Sequence, residues 1–263
     1  MLLVADNLQI TNPVFQRAVA DRDATPIRDC VRRCVAAGAE AIDINAGPLT
    51  KEPARRMTFL VETVQDVTDR PLYLDTTNAV ALRAGLEVCR NRAVINGVSP
   101  EPEKLERILP LAKEFDVDII GYLLYPNGQV PKTAEERLAV ATELFAEIER
   151  AGIPPERVIL DPVVPPLMWE DGTEQAMAFL ETIRTLPDLL GFPVRTIAGL
   201  SNLTTGRGPG EKKLLVERTY LAMLAANGLS QVLMNVFHQE TVRVARTCEI
   251  LKTSKIFTWE AIP

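Results

Sequence analysis

Thr196-Ile197-Ala198-Gly199-Leu200-Ser201-Asn202 is a short apolar run that ends in a polar pair, and Leu203-Thr204-Thr205-Gly206 carries it into a Gly-rich loop. Such a run reads as a buried parallel strand, with its last polar side chains at the C-terminal mouth of a barrel. The same pattern recurs at Ala41-Ile42-Asp43-Ile44-Asn45, Leu72-Tyr73-Leu74-Asp75, Ala93-Val94-Ile95-Asn96, Val158-Ile159-Leu160-Asp161 and Gln231-Val232-Leu233-Met234-Asn235. Leu2 to Ala5 and Asp118-Ile119-Ile120-Gly121-Tyr122 supply the first and fifth strands.

Helical patterns separate these runs. Thr25-Pro26 opens one, with Thr25 as its N-cap. Ile27, Cys30, Val31, Cys34 and Val35 then form one buried stripe, and Gly38 closes it. Ser99-Pro100-Glu101 caps the helix after the fourth strand, and Thr133 with Glu136 makes a capping box for the next. Eight strand–helix pairs without a linker or composition break predict a single (β/α)8 TIM barrel, one domain over residues 1–263. An open doubly wound sheet would bring a GxGxxG turn, and none follows any strand.

Composition narrows the function. Lys and Arg number 29 against 35 Asp and Glu, a net charge of −6, which argues against nucleic acid as a partner. No apolar run has the length of a membrane span, and Met1-Leu2-Leu3-Val4-Ala5-Asp6 lacks the basic start of a signal peptide. A cytoplasmic location is expected, with Cys30, Cys34, Cys89 and Cys248 as free thiols.

Asp43, Asn45, Asp75, Asn96, Asp161, Ser201, Asn202 and Asn235 are the polar strand ends. One Asp after a strand is commonly a helix cap or turn former; the same feature at six strands is harder to assign wholly to caps. A catalytic metal site usually draws on histidines, and His238 is the single one here, so no metal is expected. A flat heterocycle with several N–H donors suits these acceptors. In a pterin, N3–H and the 2-amino group lie side by side, and one carboxylate accepts both.

Asp43-Ile44-Asn45-x-Gly47, Asp75-Thr76-Thr77-Asn78, Ile95-Asn96, Leu160-Asp161-Pro162 and Gly199-Leu200-Ser201-Asn202, in this order, resemble the pterin-binding methyltransferase family. Among its members the likeness is to the methyltetrahydrofolate:corrinoid/iron–sulfur protein methyltransferases and the folate domain of cobalamin-dependent methionine synthase. The segments from Arg90 to Asn96 and from Arg218 to Met223 strengthen it.

The resemblance implies tetrahydrofolate or 5-methyltetrahydrofolate as substrate, cobalamin carried by a separate corrinoid protein, and a homodimer. It implies that Asp161 accepts from the N3 and 2-amino edge, that Asp75 and Asn96 meet the opposite edge, and that Asn202 reaches N5 as the catalytic carboxamide. Asp43 and Asn45 would orient these groups, with Ser201 and Gly199 beside Asn202. The sequence departs from the family at Asp6 and Gln9, where Glu and Asn are usual, at Asn235 for Asp, and throughout the loop from Gly206 to Lys213. The direction of transfer stays open, as do two alternatives: a dihydropteroate synthase, and a folate-binding subunit without activity. The former usually carries a basic residue beside the serine of the seventh strand, where this chain has Asn202.

Other features carry paired readings. The loop from Thr204 to Gly210 is a lid or docking loop, or a phosphate cradle. Arg207, Lys212 and Lys213 meet the folate tail or form a solvated basic turn. Met168 and Trp169 contact a ligand or partner, or pack their own Pro-rich loop. Cys30 and Cys34 read as buried thiols.

Overall fold

Alternating apolar runs and amphipathic stretches close into a barrel in the computed structural model, which describes residues 1–47, 49–253 and 256–263. The strands are β1 (Leu2–Gln9), β2 (Ala41–Asn45), β3 (Leu72–Asp75), β4 (Ala93–Val98), β5 (Asp118–Tyr122), β6 (Val158–Asp161), β7 (Arg195–Gly199) and β8 (Gln231–Met234). All neighbours are parallel, and β8 pairs with β1, so the sheet has no free edge. The helices are α1 (Pro13–Asp21), α2 (Ala24–Ala36), α3 (Pro53–Gln65), α4 (Ala79–Val88), α5 (Pro102–Glu114), α6 (Ala134–Arg150), α7 (Gly172–Leu190), α8 (Gly210–Ala226) and α9 (Gln239–Lys252).

Boundaries follow local chemistry. The α2 N-cap is Asp23, not Thr25: the Asp23 carboxylate accepts from Thr25 N at 3.0 Å. The short Asp23 side chain, two residues before Thr25, reaches a free first-turn amide, so the helix begins at Ala24. The extra helix α1 was not expected; Asn12 caps it and Pro13 starts it. Glu101 stands at the α5 N-cap without a side-chain cap bond, while the Thr133–Glu136 capping box forms as expected. Gly38 follows the α2 C-cap at φ +100°, where a side chain would be strained.

Successive strand residues face opposite sides, and the barrel has two separate cores. Outward residues such as Leu3, Ile42, Leu74, Ile95, Leu160 and Val232 pack against the helices. Inward residues Val4, Ala41, Tyr73, Val94, Ile120, Ile159 and Ile197 form their own cluster, joined by Leu233. Below that layer, Tyr73 Oη donates to Gln231 Oε1 at 2.6 Å, and Arg195 Nη1 meets Asp118 Oδ2 at 2.8 Å. The N-terminal end is therefore filled and its polar atoms paired. Two residues beyond the inward apolar layer lie Asp6, Asp43, Asp75, Asn96, Tyr122, Asp161, Gly199 and Asn235. The alternation that makes a dry floor from one set of residues makes a polar layer from the next.

Ile159→Ala, in the middle of the floor, is expected to cost roughly 2–5 kcal/mol of stability by urea denaturation. A cost near zero would show that the inward layer is not packed as described.

Candidate functional site

The sequence-predicted residues converge. A cavity of about 290 Å³ at the C-terminal mouth is lined by Asp43, Asn45, Asp75, Asn96, Asp161, Gly199, Ser201 and Asn202. Asp6, Gln9, Tyr122 and Val163 complete its polar and bent walls, with Ile197 and Leu233 as apolar contacts. Its size is at the lower end of small-molecule sites, about 300 Å³. Asn235 does not join it. That carboxamide accepts from Asn7 Nδ2 at 2.7 Å and caps Phe237 N at 3.0 Å.

Strand register sets the contacts. Asn45 lies beside Asp75 across β2 and β3, and its Nδ2 donates to Asp75 Oδ2 at 2.6 Å. Asn96 Nδ2 donates to Asp43 Oδ1 at 2.9 Å, and Tyr122 Oη donates to Asn96 Oδ1 at 2.7 Å. The Asn96 amide is thus oriented from both ends, and one of its amide hydrogens remains for a ligand. Tyr122 had drawn no role from sequence. Its position two residues after inward Ile120 is the signal that identifies it.

After β6, Val163 adopts φ +63°, uncommon for a β-branched residue. Asp161 Oδ1 holds that bend by accepting from Val163 N at 2.8 Å, and Oδ2 is left for a ligand. Behind Asp161 on α6, Arg137 is wholly buried and donates to Pro131 O and Gln175 O, each at 3.0 Å.

Asn202 is exposed and sits on a short 3-10 turn, Leu200–Thr204, rather than on β7 itself. A Cβ at Gly199 would lie 3.0 Å from Asn202 Nδ2, so the glycine leaves room for the carboxamide to fold back over the strand end. The turn is tied to α8 by Thr204 Oγ1 donating to Glu217, and to the Pro-rich loop by Leu167 N donating to Leu203 O at 3.0 Å. In that loop Met168 and Trp169 are exposed. Lys213 Nζ donates to Gly206 O at 2.5 Å, so this charge holds its own loop together. Cys30 and Cys34 are buried on α2, and His238 precedes α9 without a side-chain cap bond.

The electrostatics follow from burial. It lifts the Asp161 carboxyl to about 7, against the pull of Val163 N–H and the Arg137 charge. Burial raises Asp75 and Asp6 to about 6 each. Asp43 is pushed well up by burial and then by the Asp75 charge. Several buried acceptors thus share one cavity with too few protein donors, which suits a ligand that brings N–H groups.

Comparison with known proteins agrees. The model of the family described as pterin binding enzyme matches residues 8–235. The chain is 26% identical over 239 residues to a methylcorrinoid:tetrahydrofolate methyltransferase of Eubacterium limosum, covering 89% of this chain and 85% of that one. It is 24% identical over 261 residues to the methionine synthase of Mycobacterium tuberculosis, covering 95% of this chain and 20% of that protein. A dihydropteroate synthase structure from Clostridium difficile, solved in the presence of pteroic acid, superposes with a TM-score of 0.70. Its identity is 16%, over 96% of this chain and 97% of that one, and the likeness is one of fold. Among the described residues no helix is long and apolar enough to cross a membrane.

These carboxyls titrate higher in the folded chain than in the unfolded one, so the folded state binds more protons between about pH 4 and 7. Their contribution to stability is full below that range and is lost as pH rises through the folded values of about 6 to 7. The ligand-free protein should therefore unfold at lower temperature at about pH 8 than at about pH 5.5. Asp161→Asn keeps an acceptor for Val163 N and should add roughly 1–3 kcal/mol at the higher pH. Equal stability of wild type and variant there would contradict the buried-charge account.

Proposed function

The chain belongs to the pterin-binding enzyme family, and on that premise we propose that it moves a methyl group between N5 of tetrahydrofolate and the cobalt of a separate corrinoid protein. The observation that carries the reading is the convergence, in one cavity, of a carboxylate and amide ring with Asn202 on its rim. Asp161 would accept from the N3–H and 2-amino edge in bidentate fashion, one donor on its free Oδ2 and the other on the second lone pair of Oδ1. Asp75 and the remaining Asn96 hydrogen would meet the opposite edge, oriented by Asn45, Asp43 and Tyr122.

The reaction explains the residue types. A tertiary amine leaves poorly, so breaking the methyl–N5 bond requires N5 to gain a proton or a hydrogen bond. A carboxamide serves both states: its Nδ2 donates to neutral N5, and after rotation its Oδ1 accepts from the protonated form. The exposed position of Asn202 on a turn suits a side chain that must move. The corrinoid is a substrate delivered at the mouth, where Met168 and Trp169 present apolar surface. Catalysis lowers the barrier both ways, and the Eubacterium limosum relative, named for the methylcorrinoid-to-folate direction, supports that direction here. A dihydropteroate synthase reading has against it the absence of a basic side chain beside Ser201.

Transfer between 5-methyltetrahydrofolate and free cob(I)alamin, followed by absorbance, tests the reading directly. Asn202→Ala should slow it by roughly 100-fold while tetrahydrofolate binding by calorimetry changes little. Asp161→Ala should instead weaken binding by roughly tenfold or more. A wild-type protein that ignores tetrahydrofolate would end the proposal.

A further inference from the structure

Methyl transfer needs a proton at N5 in one direction and must dispose of one in the other, and the carboxamide of Asn202 is neither a source nor a sink. The structure holds a group placed for that task. Beside the site cavity lies a second of about 690 Å³, between β1, α1, α2 and the segment leading into α9. Its rim carries exposed Asn12, Asp29 and Arg33, so it opens to solvent between α1 and α2. The two cavities share Asp6, Gln9 and Ser201.

Asp6 is buried, two residues beyond the inward floor residue Val4. Its one side-chain hydrogen bond among the described residues is from Ser201 Oγ to Oδ2, at 3.4 Å, and no Lys, Arg or His among them is within ion-pair distance. The other site carboxylates are engaged: Asp43 by Asn96, Asp75 by Asn45, and Asp161 by Val163 N. Ser201 is exposed and adjoins Asn202 in the chain. A hydroxyl is the one partner type here that both accepts and passes on a proton.

We propose that Asp6 is the proton reservoir of the site, exchanging with water in the second cavity and with N5 through the Ser201 hydroxyl. The inference rests on the methyl-transfer reading and adds a residue to it. From folate to corrinoid, the Asp6 proton goes to Ser201 Oγ as the Ser201 hydrogen goes to N5. The carbon–N5 bond then breaks with its pair left on nitrogen, and cobalt(I) supplies the pair of the new carbon–cobalt bond, becoming cobalt(III). In the reverse direction N5 attacks the methyl group, its proton returns through Ser201 to the Asp6 carboxylate, and the pair returns to cobalt.

Burial holds the Asp6 carboxyl at about 6, where both forms are populated near neutrality; the Ser201 hydrogen bond opposes that rise and the Glu217 charge adds to it. Facing Asp6 are Glu217 on α8, Asp43 and Asp75 on β2 and β3, and Asp161 across the cavity. Asp29, Cys30, Arg33 and Cys34 face it from α2, and His238 from ahead of α9.

The test is the pH–rate profile of methyl transfer between 5-methyltetrahydrofolate and free cobalamin, in both directions, for wild type, Asp6→Asn, Ser201→Ala and Ser201→Thr. Wild type should lose rate above about pH 6 toward the corrinoid and below about pH 6 toward the folate. Asp6→Asn and Ser201→Ala should lose both limbs and roughly 10–100-fold in rate, with tetrahydrofolate affinity within about threefold of wild type; Ser201→Thr should restore them. If Asp6→Asn fails to fold, the two serine variants carry the test alone. A folded Asp6→Asn, or failing that Ser201→Ala, with the wild-type rate and limbs overturns this inference and leaves the methyltransferase reading standing. A wild type that binds no folate or transfers no methyl overturns both.

Discussion

The inward register of a closed parallel barrel is the constraint on which this structure depends. Closure leaves each strand one inner and one outer face, and every second residue must go inside. Once Val4, Ala41, Tyr73, Val94, Ile120, Ile159 and Ile197 form the floor, the residues two further along have no other place to go. Asp6, Asp43, Asp75, Asn96, Tyr122 and Asp161 arrive at the mouth together because the floor below them is apolar and packed. A one-residue slip in any strand would turn its polar end toward the helices and bring an outer apolar residue into the cavity.

That arrangement carries a cost at the same place. Carboxyls taken from water are hard to ionise, and those of Asp6, Asp43, Asp75 and Asp161 are all raised. Internal donors offset part of the cost: Asn45 for Asp75, Asn96 for Asp43 and the bent Val163 amide for Asp161. Each of these pairings also orients an acceptor, so the groups that hold the site together are those that would present it to a ligand. A donor-rich ring would supply what the cavity lacks. Stability in the absence of ligand and readiness to bind are therefore opposed, which is the ordinary condition of a preorganised site.

The fold and most of this ring were legible in the sequence, for a physical reason. A parallel strand covered on both faces is apolar throughout, so a terminal Asp or Asn stands out at Asp43, Asp75, Asn96 and Asp161. Tyr122 was not legible as a site residue because an aromatic ending an apolar run looks like more of the run. Asp6 stands out in the sequence only as a departure from the family pattern, because the first strand reads as ending at Ala5 while β1 runs on to Gln9. The short α1 lacks a long apolar stripe, and its caps, Asn12 and Pro13, are its clearest signal. Asn235 was drawn into the ring by the same end-of-strand pattern, but Asn7 and the Phe237 amide hold it outside the cavity.

The seventh strand differs from the others in a way that fits its place. The polar ends on β2, β3, β4 and β6 belong to the strands themselves and share their rigidity. Asn202 stands instead on the turn after β7, beyond a glycine that yields space to its side chain. A rigid ring suits groups that must recognise one unchanging edge of a ligand. A turn tied to its surroundings at its C-terminal end, through Leu203 to Leu167 and Thr204 to Glu217, would on the proposed reading suit a group whose partner atom changes between amine and ammonium. On the proposed methyl-transfer reading, the strand-borne residues would select the ligand and the turn-borne pair, Ser201 and Asn202, would follow the reaction, with Asp6 of the same mouth layer in contact with Ser201.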